Sequence, residues 1–161
     1  SERSFQLLMQ MGGRAGRHHK EGEVIIQAYN VDHPSITYSL NHDFIGFSEE
    51  ELSLRRALFY PPIGRLANVR IQSIKNESAL KACKWIGQLS EDLISKEIRF
   101  QSVEILGPAE AAISKLRGAF RYHALIKAPR FDILNEFCAR LAGLKIPGVK
   151  IQIDVDPMNM L

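Results

Sequence analysis

From residue 66 onward, the spacing of apolar positions switches between two periods. Ala67, Val69 and Ile71 alternate with Asn68, Arg70 and Gln72, the period-two pattern of a half-buried strand. Beyond Asn76, a residue type that caps helices, Ala79, Cys83, Ile86, Leu89 and Leu93 fall on one stripe at helical spacing. Val103-Glu104-Ile105-Leu106 predicts a second strand ended by Gly107-Pro108, and residues 111–127 predict a hairpin turning at Gly118. A helix follows near 130–142, with Phe131, Leu134, Cys138 and Leu141 inward and Gly143 as its C′ residue. Lys150 to Val155 alternates again as the last strand, ended by Pro157. The order strand, helix, strand, hairpin strand, helix, strand is the split β-α-β pattern. The expected fold class is α+β, one mostly antiparallel sheet with two helices on one face.

The earlier residues follow a different pattern. Phe5, Leu8 and Met9 at i, i+3, i+4 predict a short helix over residues 4–11 that runs into the turn Gly-Gly-Arg-Ala-Gly-Arg, and Val24-Ile25-Ile26 predicts a short strand. A helix, a glycine-arginine turn and one strand cannot close a sheet by themselves, so this start reads as the trailing edge of a domain whose bulk lies upstream. Residues 33–60 read as helical linkage. Its clearest start is Ser48-Glu49-Glu50-Glu51, where Ser48 as N-cap and Glu51 three residues on make a capping box, with Phe47 and Leu52 as its staple. Pro61-Pro62 should stop that helix near Tyr60. The expected division is a lobe fragment over residues 1–45, a helical linker over 46–65 and a separate domain over 66–161.

Charge sharpens that division. The net charge of +3 splits into −1 for residues 1–45 and +4 for residues 46–161. Residues 110–130 hold Lys115, Arg117, Arg121, Lys127 and Arg130 against Glu110 alone, a concentration that attracts phosphate. If the alternation holds, Ala67, Val69, Ile71, Phe120, Tyr122, Ala124, Ile126, Ile151, Ile153 and Val155 form the buried face of the sheet. Asn68, Arg70, Gln72, Arg121, His123, Lys127, Lys150 and Gln152 then share the open face. That face is basic and poor in rings, so salt-sensitive contact with a nucleic-acid backbone fits it better than base stacking. An ordinary solvated face is the bland alternative. Lys115, Arg117, Arg121, His123, Lys127 and Arg70 are the candidate DNA contacts, the hairpin tip around Gly118 foremost.

Cys83 and Cys138 sit in helical segments with no C-x-x-C spacing and read as buried thiols; the adjacent His18 and His19 lack the spacing of a metal pair. No metal site is expected. No apolar run reaches the length of a membrane span and no secretory leader is evident, so a soluble, cytoplasmic protein without membrane partners is expected.

The densest chemistry lies in residues 10–17, which match Q-x-x-G-R-x-G-R at Gln10, Gly13, Arg14, Gly16 and Arg17. A chance match in a chain of this length is about one in ten thousand at average residue usage. Phosphoryl transfer is catalysed mostly by positioning and charge neutralisation. An arginine suits that task because its planar fork stays charged and donates several hydrogen bonds. The bland reading is a glycine-rich turn with solvated arginines.

This motif resembles the sixth signature of superfamily 2 helicases. With Gly22-Glu23-Val24-Ile25-Ile26-Gln27, Arg55-Arg56, Tyr60-Pro61-Pro62, Leu106-Gly107-Pro108, the segment Arg117 to Tyr122 and Asp154-Val155-Asp156-Pro157, the whole chain resembles the C-terminal part of the primosomal protein N′ family of bacterial replication-restart helicases. The resemblance implies a parent 3′-to-5′ DNA helicase that hydrolyses ATP with magnesium, recognises stalled or branched forks and assembles the primosome. It also implies that residues 1–45 trail a RecA-like lobe and that the last domain is ribosomal S10-like. Gln10, Gly13, Arg14 and Arg17 would face ATP on the other lobe, Arg17 as the arginine finger and Arg14 as a second γ-phosphate contact. Implied partners are forked DNA, other primosome proteins and the tail of single-stranded-DNA-binding protein, for which Arg130 and Asn135 are the candidate dock.

The chain itself has no G-x-x-x-x-G-K-[ST] phosphate loop and lacks the cysteine-rich zinc insert of the family. No cofactor is expected in this chain, and it should be inactive as an ATPase. A reading from a different class makes it a non-enzymatic nucleic-acid-binding or protein-docking module of another superfamily 2 motor.

Overall fold

A computed structural model describes residues 1–14 and 23–157. Ala15, Gly16, Arg17, His18, His19 and Gly22, which carry part of the motif, of the turn and of the histidine reading, lie outside the described residues. The chain divides into two compact units, Ser1–Ala57 and Leu58–Leu161, a boundary inside the stretch expected to be a linker.

Among the described residues the first unit contains three helices, α1 (Glu2–Gly12), α2 (Pro34–Leu40) and α3 (Phe44–Leu58), the last ending just past the boundary. Aromatic packing holds it: Phe5 of α1 stacks on Phe47 of α3 with centroids 4.1 Å apart, and Tyr38 of α2 meets Phe47 edge-on at 6.3 Å. Arg55 bridges two helices, pairing with Glu2 at 3.2 Å and with Glu51 at 3.1 Å.

Two expectations fail in this unit. Residues 24–26 form no strand, and Ile25 is largely exposed. Helix α3 begins at Phe44 rather than after Ser48. The Asp43 carboxylate accepts from Gly46 N at 2.8 Å, as a capping side chain does, whereas Ser48 Oγ lies inside the helix and donates to Phe44 O. Phe47 and Leu52 both lie inside α3, so they do not flank a helix start at Ser48 as the expected staple would.

The second unit follows the expected order: β1 (Arg65–Ser73), α4 (Asn76–Lys96), a single 3-10 turn (Ile98–Phe100), β2 (Glu104–Leu116), β3 (Ala119–Ala128), α5 (Phe131–Ala142) and β4 (Val149–Val155). The strands form one antiparallel sheet in the order β2-β3-β1-β4. This is a split β-α-β arrangement, in which each helix returns the chain across the sheet.

Both helices lie against the predicted apolar face. Ala67, Val69, Ile71, Tyr122, Ala124 and Ile126 are buried, and Phe120, Ile151, Ile153 and Val155 pack around them. Ala79, Ala82, Cys83 and Ile86 face them from α4, and Leu134, Phe137, Cys138 and Leu141 from α5, with Phe137 edge-on to Phe100 at 5.2 Å. Burying a side chain the size of Ile86 or Phe137 contributes about 1.5–3 kcal/mol. Both thiols are buried and unpaired, as the sequence predicts.

Local differences have local causes. Gly107-Pro108 does not end β2; the strand runs on through register shifts between Leu106 and Ala109 and between Glu110 and Lys115. Asn76 is not a cap but the first residue of α4, and its Oδ1 accepts instead from the Tyr122 hydroxyl at 2.8 Å. Phe131 is half exposed at the start of α5, and Gly143 keeps a helical φ of −66° rather than the left-handed C′ geometry.

At the other end of the sheet, the entry to β1 and the exit from β4 are fastened together. Asp156 N donates to Leu66 O at 2.7 Å, Leu66 N donates to Asp156 Oδ1 at 3.3 Å, and Arg65 Nη1 meets Asp156 Oδ2 at 2.9 Å.

Candidate functional site

The basic hairpin is built by β2 and β3. Leu116 pairs with Ala119, leaving a two-residue turn, Arg117-Gly118, with φ of 49° and 80°. Positive φ at both central positions is the type I′ geometry, whose twist matches that of the flanking strands. The turn thrusts Arg117 into solvent beyond the sheet. Lys115 is exposed beside it, with Nζ 4.9 Å from the Phe120 ring centroid. Neither cation forms an ion pair among the described residues.

Behind the tip, Arg121, His123 and Arg70 line the side of the sheet opposite the helices and are half buried. Arg70 pairs with His123 in the β1–β3 ladder, and Gln72 with Arg121, so the two arginines and the histidine occupy neighbouring positions on adjacent strands. Arg70 Nη2 reaches Asp154 Oδ2 of β4 at 3.4 Å.

Two residues expected on the open face are not open. Asn68 is 3 % exposed and Lys127 is 8 % exposed. Lys127 Nζ sits 2.7 Å from Glu104 Oε2 and 3.3 Å from Leu58 O, with the Tyr60 ring 5.5 Å away. The strand alternation assigns Lys127 to the correct face, but the chain segment leading into β1 covers that end. Its charge is spent inside the fold, and it drops out of the exposed basic set.

Sequence reasoning missed the wall above Asn68. Between Glu110 and Lys115 four residues of β2 oppose the single residue Arg121 of β3. The surplus chain carries Ala111, Ala112 and Ile113 over the open face and encloses a cavity of about 70 Å³ with Asn68, Arg70, Arg121 and His123. The only signal in the sequence was the broken alternation of Ala109-Glu110-Ala111-Ala112, which marks irregularity without direction.

Arg130 precedes α5 and grips Asp132 with two bonds, Nε to Oδ1 and Nη2 to Oδ2, both 3.0 Å. Desolvation opposes the Asp132 carboxylate charge, but the Arg130 hydrogen bonds and charge outweigh it and hold its pKa below the usual range. Asn135 is exposed one turn into α5, while the Arg130 guanidinium is turned to Asp132. Phe131 between them is exposed, with the Arg65 guanidinium 5.8 Å from its ring centroid.

In the first unit, α1 runs through Gly12. Gly13 caps it with a helical φ of −68°, and Gln10 and Arg14 are exposed. Arg14 forms no ion pair among the described residues. These residues do not by themselves build a nucleotide pocket, and among the described residues no group of three or more His, Cys, Asp or Glu could hold a metal ion. Nor is any described helix long and apolar enough to cross a membrane.

Residues 56–158 match the family model described as the primosomal protein N C-terminal domain. The chain belongs to this family. Relatives named replication restart protein PriA match along nearly the whole chain. The Synechocystis protein is 38 % identical over 160 residues, covering 99 % of this chain and 19 % of the relative. The Treponema pallidum protein is 33 % identical over 163 residues, covering 100 % of this chain and 24 % of the relative. The Bacillus subtilis protein is also 33 % identical, covering 100 % of this chain and 20 % of the relative. The chain therefore spans only about a fifth to a quarter of the relatives it matches, and the domain of the primosomal protein N family lies mostly in the sheet unit that carries the basic hairpin.

Proposed function

We propose that the chain is the C-terminal part of a bacterial, cytoplasmic, ATP-dependent 3′-to-5′ DNA helicase that recognises stalled or branched replication forks and restarts replication by assembling a primosome. The Leu58–Leu161 unit, read as an S10-like domain, is its DNA- and partner-binding module. Residues 1–45 complete a RecA-like lobe built mainly by the preceding chain.

The observation that carries this reading is the hairpin. Lys115 and Arg117 are exposed at its tip, with Arg121, His123 and Arg70 behind them, while Lys127 at the far end of β3 is neutralised internally. Selective exposure of the tip cations suits backbone phosphates, and a narrow two-residue tip suits the opening of a fork. Each lost phosphate contact weakens binding across sequences and lowers the salt slope by about 1.

The experiment is fluorescence anisotropy of the chain with forked, duplex and single-stranded DNA over a salt series. Steep salt dependence with tighter binding to the fork supports the reading. Failure to bind any of the three at low salt overturns it, leaving the second reading, a protein-docking module.

The motif at residues 10–17 adds the motor. Gln10, Arg14 and Arg17 touch ATP held by the other lobe of the parent, Arg17 as the finger and Arg14 as a second γ-phosphate contact, with Gly13 letting the turn come close. ATP brings a γ-phosphate whose developing charge an arginine neutralises. This chain, without a phosphate loop, supplies only the arginines. Full DNA-stimulated ATPase activity in an Arg17→Ala parent enzyme would remove that role. Arg130 and Asn135, flanking the exposed Phe131, are the proposed dock for the acidic, apolar tail of single-stranded-DNA-binding protein.

A further inference from the structure

Two consecutive glycines, Gly12 and Gly13, stand between the body of α1 and Arg14, the first arginine of the motif. Such a pair leaves the backbone loose at the point from which an arginine has to be aimed. The flank of Gly12 is nevertheless occupied. A Cβ built on Gly12 would lie 3.1 Å from His42 Cε1 and 3.7 Å from His42 Nε2. Among the described residues no other atom from outside α1 comes within 4 Å of that point. The imidazole thus fills the space that a side chain on Gly12 would need.

The backbone that delivers the ring is itself fixed. His42 lies between α2 and α3 with a φ of 54°, a left-handed geometry that histidine and asparagine adopt more readily than most residues. Its N donates to Ser39 O at 3.2 Å, and its O accepts from Phe44 N at 3.1 Å. On the other side of the contact, Gly13 N donates to Met9 O and Arg14 N to Met11 O, both at 3.1 Å. The helix end that His42 touches therefore carries the Arg14 backbone directly.

We propose that His42 is a positioning residue for the arginine motif, its ring on Gly12 fixing the direction in which Arg14 leaves α1. The proposal deepens the helicase reading and rests on it.

An arginine neutralises the charge developing on a transferred phosphoryl group only from the right place, and a misplacement of about 1 Å costs up to about a hundredfold in rate. A ring packed against the glycine step supplies that precision without touching the nucleotide. General packing is a poorer account of the contact. The stack of Phe5 on Phe47 already fastens α1 nearer its start, which leaves His42 to set the end of the helix.

The test is steady-state, DNA-stimulated ATPase activity of the full-length parent. His42→Asn keeps a residue that accepts the left-handed geometry and withdraws the ring. Its kcat should fall about tenfold, with the KM for ATP changed by less than about twofold, because aim is lost and nucleotide binding is not. Gly12→Ala favours the helix but pushes a methyl group against the ring, and its kcat should fall likewise. Neither loss should add to the other, and His42→Asn should cost nothing further in an Arg14→Ala background, since all three act through one step. Full turnover in His42→Asn, while Arg14→Ala and Arg17→Ala lose it, overturns the positioning role and leaves the motif reading intact. An equal loss from His42→Asn with and without Arg14 overturns it too, since the ring would then act elsewhere. Full turnover in both Arg14→Ala and Arg17→Ala overturns the motif reading and the proposal together.

Discussion

Glu104 and Lys127 are register partners across the β2–β3 ladder, and their side chains meet at 2.7 Å. Lys127 is nearly buried there, whereas Glu104 is 56 % exposed. The pair thus sits at the margin of the sheet, and the buried Lys127 also donates from Nζ to Leu58 O and faces the Tyr60 ring.

Lys127→Ala should lower stability by about 1–3 kcal/mol, because it removes both the buried stem and the charge-assisted bonds. Its effect on DNA binding should be nil. Urea denaturation reads the first outcome and the salt slope of anisotropy the second. A slope reduced by about 1 would return Lys127 to the binding surface.

Arg117 should behave in the opposite manner. A non-glycine residue in left-handed geometry costs about 1–2 kcal/mol, and asparagine tolerates that geometry better than arginine. Arg117→Asn is therefore expected to hold or raise the melting temperature while weakening fork binding and lowering the salt slope by about 1. Arg117→Lys should restore most of the affinity without the gain in stability. Loss of stability in Arg117→Asn would contradict the type I′ turn.

Gly107 has a φ of +94°, and a Cβ there would lie 3.0 Å from Ala109 N and 3.1 Å from His123 O. Gly107→Ala meets unfavourable backbone geometry and a neighbouring strand at once. A loss of about 1–3 kcal/mol is expected, measured as a lower urea midpoint with an unchanged slope. A wild-type midpoint would show that the strand can shift there freely.

Burial pushes the thiols of Cys83 and Cys138 up to about 11 from an ordinary 9.0. The unfolded chain releases these protons first. Their contribution to stability is whole below pH 9 and is lost as pH rises toward 11. Thermal melts across that interval should show a decline that is shallower in the Cys83→Ala, Cys138→Ala double variant. An identical decline in both proteins would mean that the thiols do not contribute to it.

The sheet domain was legible because one face is dry and the other is not. Burying Val69, Ile71, Ala124 and Ile126 beneath two helices imposes a period of two on the strands and 3.6 on the helices, and composition shows both. What stayed hidden depends on competition or on cover. Asn76 is a good cap by type, but the Tyr122 hydroxyl claims its carbonyl oxygen. Ser48 and Asp43 are both capable of starting α3, and the earlier residue prevails. Alternation gave the face of Lys127 but not the segment that lies over it. The cavity wall was least legible, since a bulge breaks a pattern without saying where the surplus residues go. In the first unit Val24-Ile25-Ile26 has strand composition without a paired strand among the described residues, so local preference alone does not make a sheet.

The clasp among Arg65, Leu66 and Asp156 joins the start of β1 to the end of β4. The two strand ends lie within hydrogen-bonding distance, so the sheet has the connectivity of a cassette hung from a single point. Such a unit can be spliced into a loop of an unrelated host, or have its ends rejoined and new ones opened elsewhere, without stretching either flanking segment. The Arg117-Gly118 tip lies at the far end of the β2–β3 pair from the partners of Leu66, which makes it a natural place to open the permuted chain when the strand core is to be kept and the tip sacrificed.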